Sequence, residues 1–218
     1  MSLKLGVIGF GNIAKAIINP LLEQKILQPE EIICLVNSNK SLEDIKNNYK
    51  YNINIYQANS SEANTLWHCP IKLLAVKPQQ LKNIKEKFFN QSNKPILISI
   101  LAGVSLETLN AIFPKHNCIR VVTNIPITIG KGLTGIAWNN VTDNENKVFI
   151  KNMFESSSKV FEFSEDYLDI FLALTSSAPA IIALIIEALG DGGLSGGLTK
   201  RLSEELVIDM IFGTILMM

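Results

Sequence analysis

The chain has 218 residues, enough for one large domain or a medium domain with a smaller companion. With 47% hydrophobic and 18% charged residues it is too apolar for a disordered, collagen-like or low-complexity class. Twenty Lys and Arg offset twenty Asp and Glu, so net charge pulls it neither to nucleic acid nor to an anionic membrane surface, and a small-molecule or protein partner is expected.

Three widely spaced cysteines, Cys34, Cys69 and Cys118, argue against a disulfide framework or a zinc ribbon and fit a reducing compartment. A cytoplasmic location is expected, because the short apolar run at the N-terminus enters a glycine turn without signal-peptide features. The longest apolar segments, 178–189 and 206–218, fall short of the roughly 20 residues a bilayer span needs. They carry Glu187 and Asp209 and are read as buried helices, not as membrane segments.

In chain order, short β-branched runs at 4–8, 31–36, 52–56, 71–76, 96–100 and 118–122 alternate with helix-like stretches at 12–24, 41–48, 60–67, 78–89 and 105–113. Several of the latter open on Ser or Pro, which suit a helix start. The alternation predicts a parallel sheet covered by crossover helices. Residues 130–138 and 160–163 add further strands, the first running into a turn-like Asn139-Asn140. Beyond Met153 asparagine disappears and apolar residues recur at helical spacing, placing a boundary near 160. The fold expected is α/β: a Rossmann-type dinucleotide-binding domain over 1–160 and an all-helical dimerisation domain over 161–218, with helices from 166, over 180–194 and over 200–218. These helices are apolar on several faces, so a partner subunit is expected to cover them in a homodimer or higher homo-oligomer.

The first strand leads into Gly9-Phe10-Gly11-Asn12-Ile13-Ala14, a G-x-G-x-x-A turn opening a helix. Gly9 permits the tight turn, Gly11 lets backbone approach a pyrophosphate, and Ala14 lets the helix pack on the strand, with phosphate charge at the helix N-terminus. A plain connecting turn is the alternative. The second strand ends in Val36-Asn37-Ser38-Asn39-Lys40, without the carboxylate that would bind both ribose hydroxyls of NAD. Asn37, Ser38 and Asn39 supply donors and Lys40 a positive charge, so NADP is expected over NAD.

After the fourth strand stands Ala75-Val76-Lys77-Pro78-Gln79, at the sheet edge where ligands bind in this architecture. Farther on come Ala102-Gly103, Arg120-Val121-Val122-Thr123-Asn124-Ile125-Pro126, Leu174-Thr175-Ser176-Ser177-Ala178-Pro179-Ala180 and Glu187-Ala188-Leu189-Gly190-Asp191-Gly192-Gly193 with Gly197-Leu198. In order and spacing these segments resemble the A-V-K-P-Q, A-G, R-x-M-P-N-T-P, L-S-G-S-G-P-A and E-A-L-A-D-G-G segments of the pyrroline-5-carboxylate reductase family, across nearly the whole chain. The resemblance implies NAD(P)H-dependent reduction of a cyclic imine carboxylate, 1-pyrroline-5-carboxylate, to L-proline, the last step of proline biosynthesis. It also implies that Asn59 contacts a ribose, that Ala75 to Pro78 with Ala102 and Gly103 belong to the cofactor pocket, and that Asn124 meets substrate.

The substrate carboxylate would need donors, and Ser177 with the N–H groups of Ala178 and Ala180 at the head of the helix carrying Pro179 suits an anion. Ser177 and Thr175 are the expected catalytic residues; simple helix capping by this Thr-Ser-Ser run is the alternative. A protonated imine needs no general acid, and His68 and His116 are expected in loops or at the surface. No metal-ligand cluster is visible in the sequence. Glycines 190, 192, 193, 196 and 197 each cost helix stability, which a close helix from a second subunit or a break before Leu198 would explain.

Ser176 and Ala178 replace the family's two glycines, Thr123 and Ile125 depart from its pattern, and the sequence stops before the S-P-G-G-T-T segment and final helix expected of the family. Substrate-contacting groups supplied there are expected to be missing. Two alternatives therefore stand beside the reductase: a catalytically impaired or truncated NADP-binding relative, and a reductase of another imine or a β-hydroxyacid.

Overall fold

The computed structural model describes residues 2–84, 94–139 and 142–218. One eight-stranded sheet organises the first of two compact units, residues 1–172. Its strands are β1 (Leu5–Ile8), β2 (Ile32–Val36), β3 (Asn54–Gln57), β4 (Ile71–Leu74), β5 (Ile96–Ser99), β6 (Asn117–Thr123), β7 (Gly132–Ala137) and β8 (Ser158–Glu162), in the order β3-β2-β1-β4-β5-β6-β7-β8. The chain order doubles back at β1, which puts a crevice at the carboxyl ends of β1 and its two neighbours β2 and β4.

Alternation along the strands divides the core between the two faces of the sheet. Ile32 and Cys34 of β2, Leu73 of β4 and Ile98 of β5 pack with Ile17, Ile18 and Leu21 of α1 (Asn12–Glu23) and with Ile150 and Phe154 of α4 (Asn144–Glu155). Their neighbours Ile33, Leu35, Leu74 and Leu97 turn to the other face, against Leu66, Trp67, Leu109 and Phe113. That second face is covered by α3 (Leu106–Ile112) and by 3-10 turns at Ser61–His68 and Pro78–Asn83. The Ser61–His68 turn lies so near the sheet that a Cβ at Gly6 would stand 2.7 Å from Leu66 Cγ. Strands buried on both faces explain why the sequence reads as continuous apolar runs.

The sheet is not wholly parallel. β7 runs antiparallel to β6, and β8 lies parallel to β7. The link from β6 to β7 is one 3-10 turn, Ile125–Ile129, closed by Gly130 at φ +71°, and so short a link can only reverse direction. α4 then provides the crossover to β8. The expected helix at 78–89 is a 3-10 turn through Asn83, its remainder lying partly outside the described residues, as does Asn140 of the expected turn. α2 (Asn39–Asn48) is capped by Ser38, whose Oγ accepts the Ser41 N–H at 3.1 Å.

Arg120 fastens β6 to the chain that follows β8. Its buried guanidinium reaches Glu165 at 3.1 Å and Asp169 at 2.6 Å, and the same Glu165 oxygen accepts the Leu106 N–H at 2.7 Å. β8, this ion pair and the packing of Leu168 and Phe171 of α5 (Leu168–Leu172) on Val122 and Ala137 hold residues past 160 in the sheet unit. Thr123 joins a hydroxyl ladder across three strands, from Thr123 to Thr134 at 3.0 Å and on to Ser158 at 2.7 Å.

The second unit, residues 173–218, holds α6 (Ala178–Ser195) and α7 (Lys200–Met217), packed as a hairpin. Its turn uses Gly197 at φ +98°, and Ser203 Oγ donates to Gly190 O at 2.6 Å. A Cβ at Gly193 would sit 2.0 Å from that hydroxyl, so close approach by the chain's own α7 accounts for this glycine. Within this chain the two apolar helices are not covered, as the expectation of a partner subunit requires: Ile181, Leu184, Leu206, Ile208 and Phe212 are all exposed. The helical run Glu165–Ser195 is also continuous over 31 residues, long and apolar enough by length and composition to cross a membrane, because α5 joins α6 through a π-helical turn without a break.

Candidate functional site

A cleft of ≈ 550 Å³ opens at the carboxyl ends of β1, β2 and β4. The strand ends are laced together: Gly9 N donates to Leu35 O at 2.9 Å and Ala75 N to Ile8 O at 2.8 Å. Gly9 stands at φ +89°, and a Cβ there would meet the Ala75 carbonyl oxygen at 2.6 Å, so conformation and space both require glycine. At Gly11 a Cβ would find nothing within 4 Å, which leaves bare backbone facing open space at the head of α1. The first turn of α1 has no side-chain cap and no acidic residue, so its N–H groups and the positive end of the helix dipole are available to an anion.

One wall is the end of β2 and the start of α2. Asn37, Ser38, Ser41, Asp44 and Ile45 line it, with Ser38 Oγ donating to Ser41 Oγ at 2.9 Å. Opposite stand Ala75, Val76, Lys77, Gln80, Asn83 and Ile84. The Lys77 N–H donates to Gln80 Oε1 at 3.2 Å, which fixes the backbone where the Lys77 side chain emerges. Lys15 also lines the cleft, its Nζ 5.9 Å from the centre of the Phe10 ring.

Of the residues expected around a dinucleotide, the structure brings Gly9, Gly11, Asn37, Ser38, Ala75, Val76 and Lys77 to this cleft. Asn12, Ile13, Asn39, Lys40, Asn59, Pro78, Ala102 and Gly103 are not among its lining residues. Ala14 is buried beneath it in the core between α1 and the sheet. Ala58, whose N–H donates to Val36 O at 2.8 Å, lines the cleft in place of its neighbour Asn59. Ala102 and the φ +70° Gly103 lie exposed just past β5 on the same sheet edge.

The residues expected at substrate fall elsewhere. Asn124 is buried past the end of β6, its Oδ1 accepting the Leu133 N–H at 2.8 Å, a bond that ties the β6–β7 turn together. Thr175, Ser176 and Ser177 form part of the π-helical turn Ala173–Ser177, and Ser176 Oγ is enclosed with no hydrogen-bond partner among the described residues. The expected free helix head at Ala178 and Ala180 is corrected: Ser177 has helical angles, φ −88° and ψ −34°, caps nothing with its side chain and lies inside a continuous run. A π turn widens the helix locally and re-aims its side chains, a departure common at functional sites.

His116 lies in the loop before β6, as expected, but its ring is buried and makes edge contacts with Trp67 and Phe113. His68 is exposed at the end of its 3-10 turn. Cys34, Cys69 and Cys118 are free and buried; burial pushes the Cys34 thiol up and the Cys69 thiol up to about 12, so neither is a ready nucleophile. Among the described residues no cluster of three or more His, Cys, Asp and Glu could hold a metal ion.

Two family models match this chain: "NADP oxidoreductase coenzyme F420-dependent" over residues 4–103 and "Pyrroline-5-carboxylate reductase dimerisation" over residues 165–218. A pyrroline-5-carboxylate reductase of Synechocystis sp. is 36% identical over 214 residues, covering 98% of this chain and 78% of the relative. The chain belongs to the pyrroline-5-carboxylate reductase family. Among solved structures, a family member from Coxiella burnetii superposes with a TM-score of 0.82 at 26% identity, over 99% of this chain and 79% of that one. The Plasmodium falciparum enzyme, solved with NADP bound, gives 0.77 at 27% identity, over 99% and 78%.

The sequence reading of this family member missed Lys15, Ser41, Asp44, Gln80 and Asn83 on the cleft walls. For Ser41 and Asp44 a signal was present. Once Ser38 is taken as the cap of α2, Ser41 three positions later comes round towards its side of the helix, and Asp44 three positions after Ser41 is its neighbour.

Proposed function

We propose that this chain reduces 1-pyrroline-5-carboxylate to L-proline with NADPH, as a homodimer or higher homo-oligomer in a reducing cytoplasm. The observation that carries the reading is 36% identity to a pyrroline-5-carboxylate reductase along 98% of the chain. The residues present fit a dinucleotide: the cleft is large enough, Gly11 leaves open the space a side chain would fill, and an uncapped helix head meets it with Lys15 and Lys77 on its walls.

When bound, NADPH supplies the hydride that the imine carbon accepts. If the imine binds as its protonated form, hydride addition leaves a neutral amine, so no side chain need deliver a proton. The protein's task is then placement. The head of α1 with Gly9 and Gly11 would hold the pyrophosphate, Asn37 and Ser38 would serve the adenosine ribose with Lys40 adding charge from outside the lining, and Val76 and Lys77, followed by Pro78, would bind the nicotinamide end. Asn59, Ala102 and Gly103, outside the lining of the cleft, would reach the cofactor only farther along the same sheet edge. Thr175 and Ser177 of the π turn would offer hydroxyls to the substrate carboxylate, whereas Asn124 is committed to the Leu133 N–H and Ala178 and Ala180 lie inside the continuous helical run, so no donor role is assigned to them.

A second copy is the cover that suits the exposed face of α6 and α7. Residues 165–218 match a dimerisation domain by its description, and Glu187 and Asp191 stand exposed midway along α6, where a lipid cover would bury charge at high cost. Purified chain mixed with NADPH and the imine is expected to consume NADPH and form proline, with a mass in solution of at least two chains. Tight NADPH binding with no proline formed would overturn the reductase reading in favour of a cofactor-binding relative, and turnover only with other imines would move the substrate.

A further inference from the structure

We propose that Asp44 is a specificity-determining residue that holds down this chain's preference for NADPH over NADH. The proposal rests on the dinucleotide reading of the cleft. No carboxylate follows β2 directly, and on that pattern alone a ribose 2′-phosphate meets only donors and Lys40. The fold adds a carboxylate by another route. Ser38 caps α2, and Ser41, Asp44 and Ile45 follow on the helix face that lines the same cleft.

Asp44 is exposed to solvent in that wall and lies about 4.5 Å farther along the helix axis than Ser41. The hydroxyl pair Ser38–Ser41, with Oγ atoms 2.9 Å apart, is the group in that wall suited to a phosphate oxygen. A phosphate seated there carries its double negative charge well inside one Debye length of the Asp44 carboxylate. Asn48 Nδ2 donates to Asp44 Oδ1 at 2.9 Å, which steadies the carboxylate on the helix without neutralising it. The uncharged ribose diol of NADH meets no such repulsion. Attraction from Lys40 and from the helix head and repulsion from Asp44 thus act in opposition on the one group that distinguishes the two cofactors.

Binding of adenosine 2′,5′-bisphosphate and of 5′-AMP to the full chain, by titration calorimetry, reads this difference without any turnover. In Asp44→Asn, where the remaining Oδ1 can still accept from Asn48, the bisphosphate is expected to bind about threefold more tightly while AMP changes little. The gain should shrink in high salt. Glu43→Gln removes the same charge from a neighbouring residue that does not line the cleft and should leave the ratio unchanged. Ser41→Ala should weaken the bisphosphate selectively. Equal shifts for both nucleotides in Asp44→Asn, no shift, or an equal effect from Glu43→Gln overturns the assignment and leaves the cofactor reading standing. Failure of the wild-type chain to bind either nucleotide overturns both.

Discussion

The two units of this chain handle their apolar residues in opposite ways. In the sheet unit every residue of β1, β2, β4 and β5 is buried, and two helical layers complete the core from within the same chain. In the helical unit only Gly190 and Ser203 are buried, although α6 and α7 carry seven Leu, Ile and Val residues each. Composition alone therefore does not place a residue inside; the number of elements available to cover it does. A two-helix hairpin has one shared seam and two outward faces; here small residues, Gly190, Gly193 and Ser203, meet at the seam, and the large aliphatic side chains are left on the outward faces.

Breaking that comparison outright calls for charge on the outward faces. Leu184→Asp combined with Phe212→Glu is expected to abolish the oligomer, read by sedimentation, and to leave a monomer whose sheet unit still unfolds cooperatively. A monomeric wild-type chain, or an oligomer that survives both charges, would remove the second copy from the account. The next largest effect belongs to the sheet unit. Gly9→Ala adds a Cβ 2.6 Å from a carbonyl oxygen at a left-handed φ, and should cost about 3 kcal/mol of stability along with nucleotide binding. Arg120→Met leaves Glu165 and Asp169 without their cation. The loss should be about 1–3 kcal/mol, less than for a fully buried pair because the Asp169 side chain is 75% exposed. Within the helical unit, Gly193→Ala collides with Ser203 and should cost about 1–2 kcal/mol, much of it recovered when Ser203→Ala is added, a coupling that denaturant titration of the four variants would measure.

Much of the sheet unit was legible because burial on both faces leaves the same signature in each strand. The runs at 71–76 and 96–100 needed only trimming to β4 and β5. α4 went unread: asparagines at 144, 146 and 152 dilute its pattern, yet Ile150, Met153 and Phe154 keep the i, i+3, i+4 spacing and Asp143 caps it through the Asn146 N–H at 2.8 Å. The direction of β7 was not legible, since strand composition carries no polarity and only the shortness of the Ile125–Ile129 link decides it. At the cleft, the glycines were legible because their constraint is local. Ser41 and Asp44 were not, because they reach the cleft through a helix turn after the motif has ended. The π turn at Thr175–Ser177 has no compositional mark, and the serine run reads equally well as a cap.

The smallest effect tests how the sheet unit protects its outer edge. β8 ends at Glu162, whose carboxylate accepts from Trp138 Nε1 at 2.7 Å and from Lys151 Nζ at 3.1 Å. The indole bond first, then the lysine, holds this carboxyl below its ordinary range. Because the folded value lies below the unfolded one, the stabilisation is complete at neutral pH and disappears as pH falls through the folded value, below about 4.5. Glu162→Gln keeps an acceptor for Trp138 but removes the charge, so its deficit in melting temperature should be present near neutral pH and vanish once the pH has fallen below the lowered folded value. With the side chain 45% exposed, salt should shrink the same deficit. A deficit that stayed constant across that range would mean that Glu162 acts through shape and the indole bond alone, and that the edge strand is held by packing, as the interior strands are.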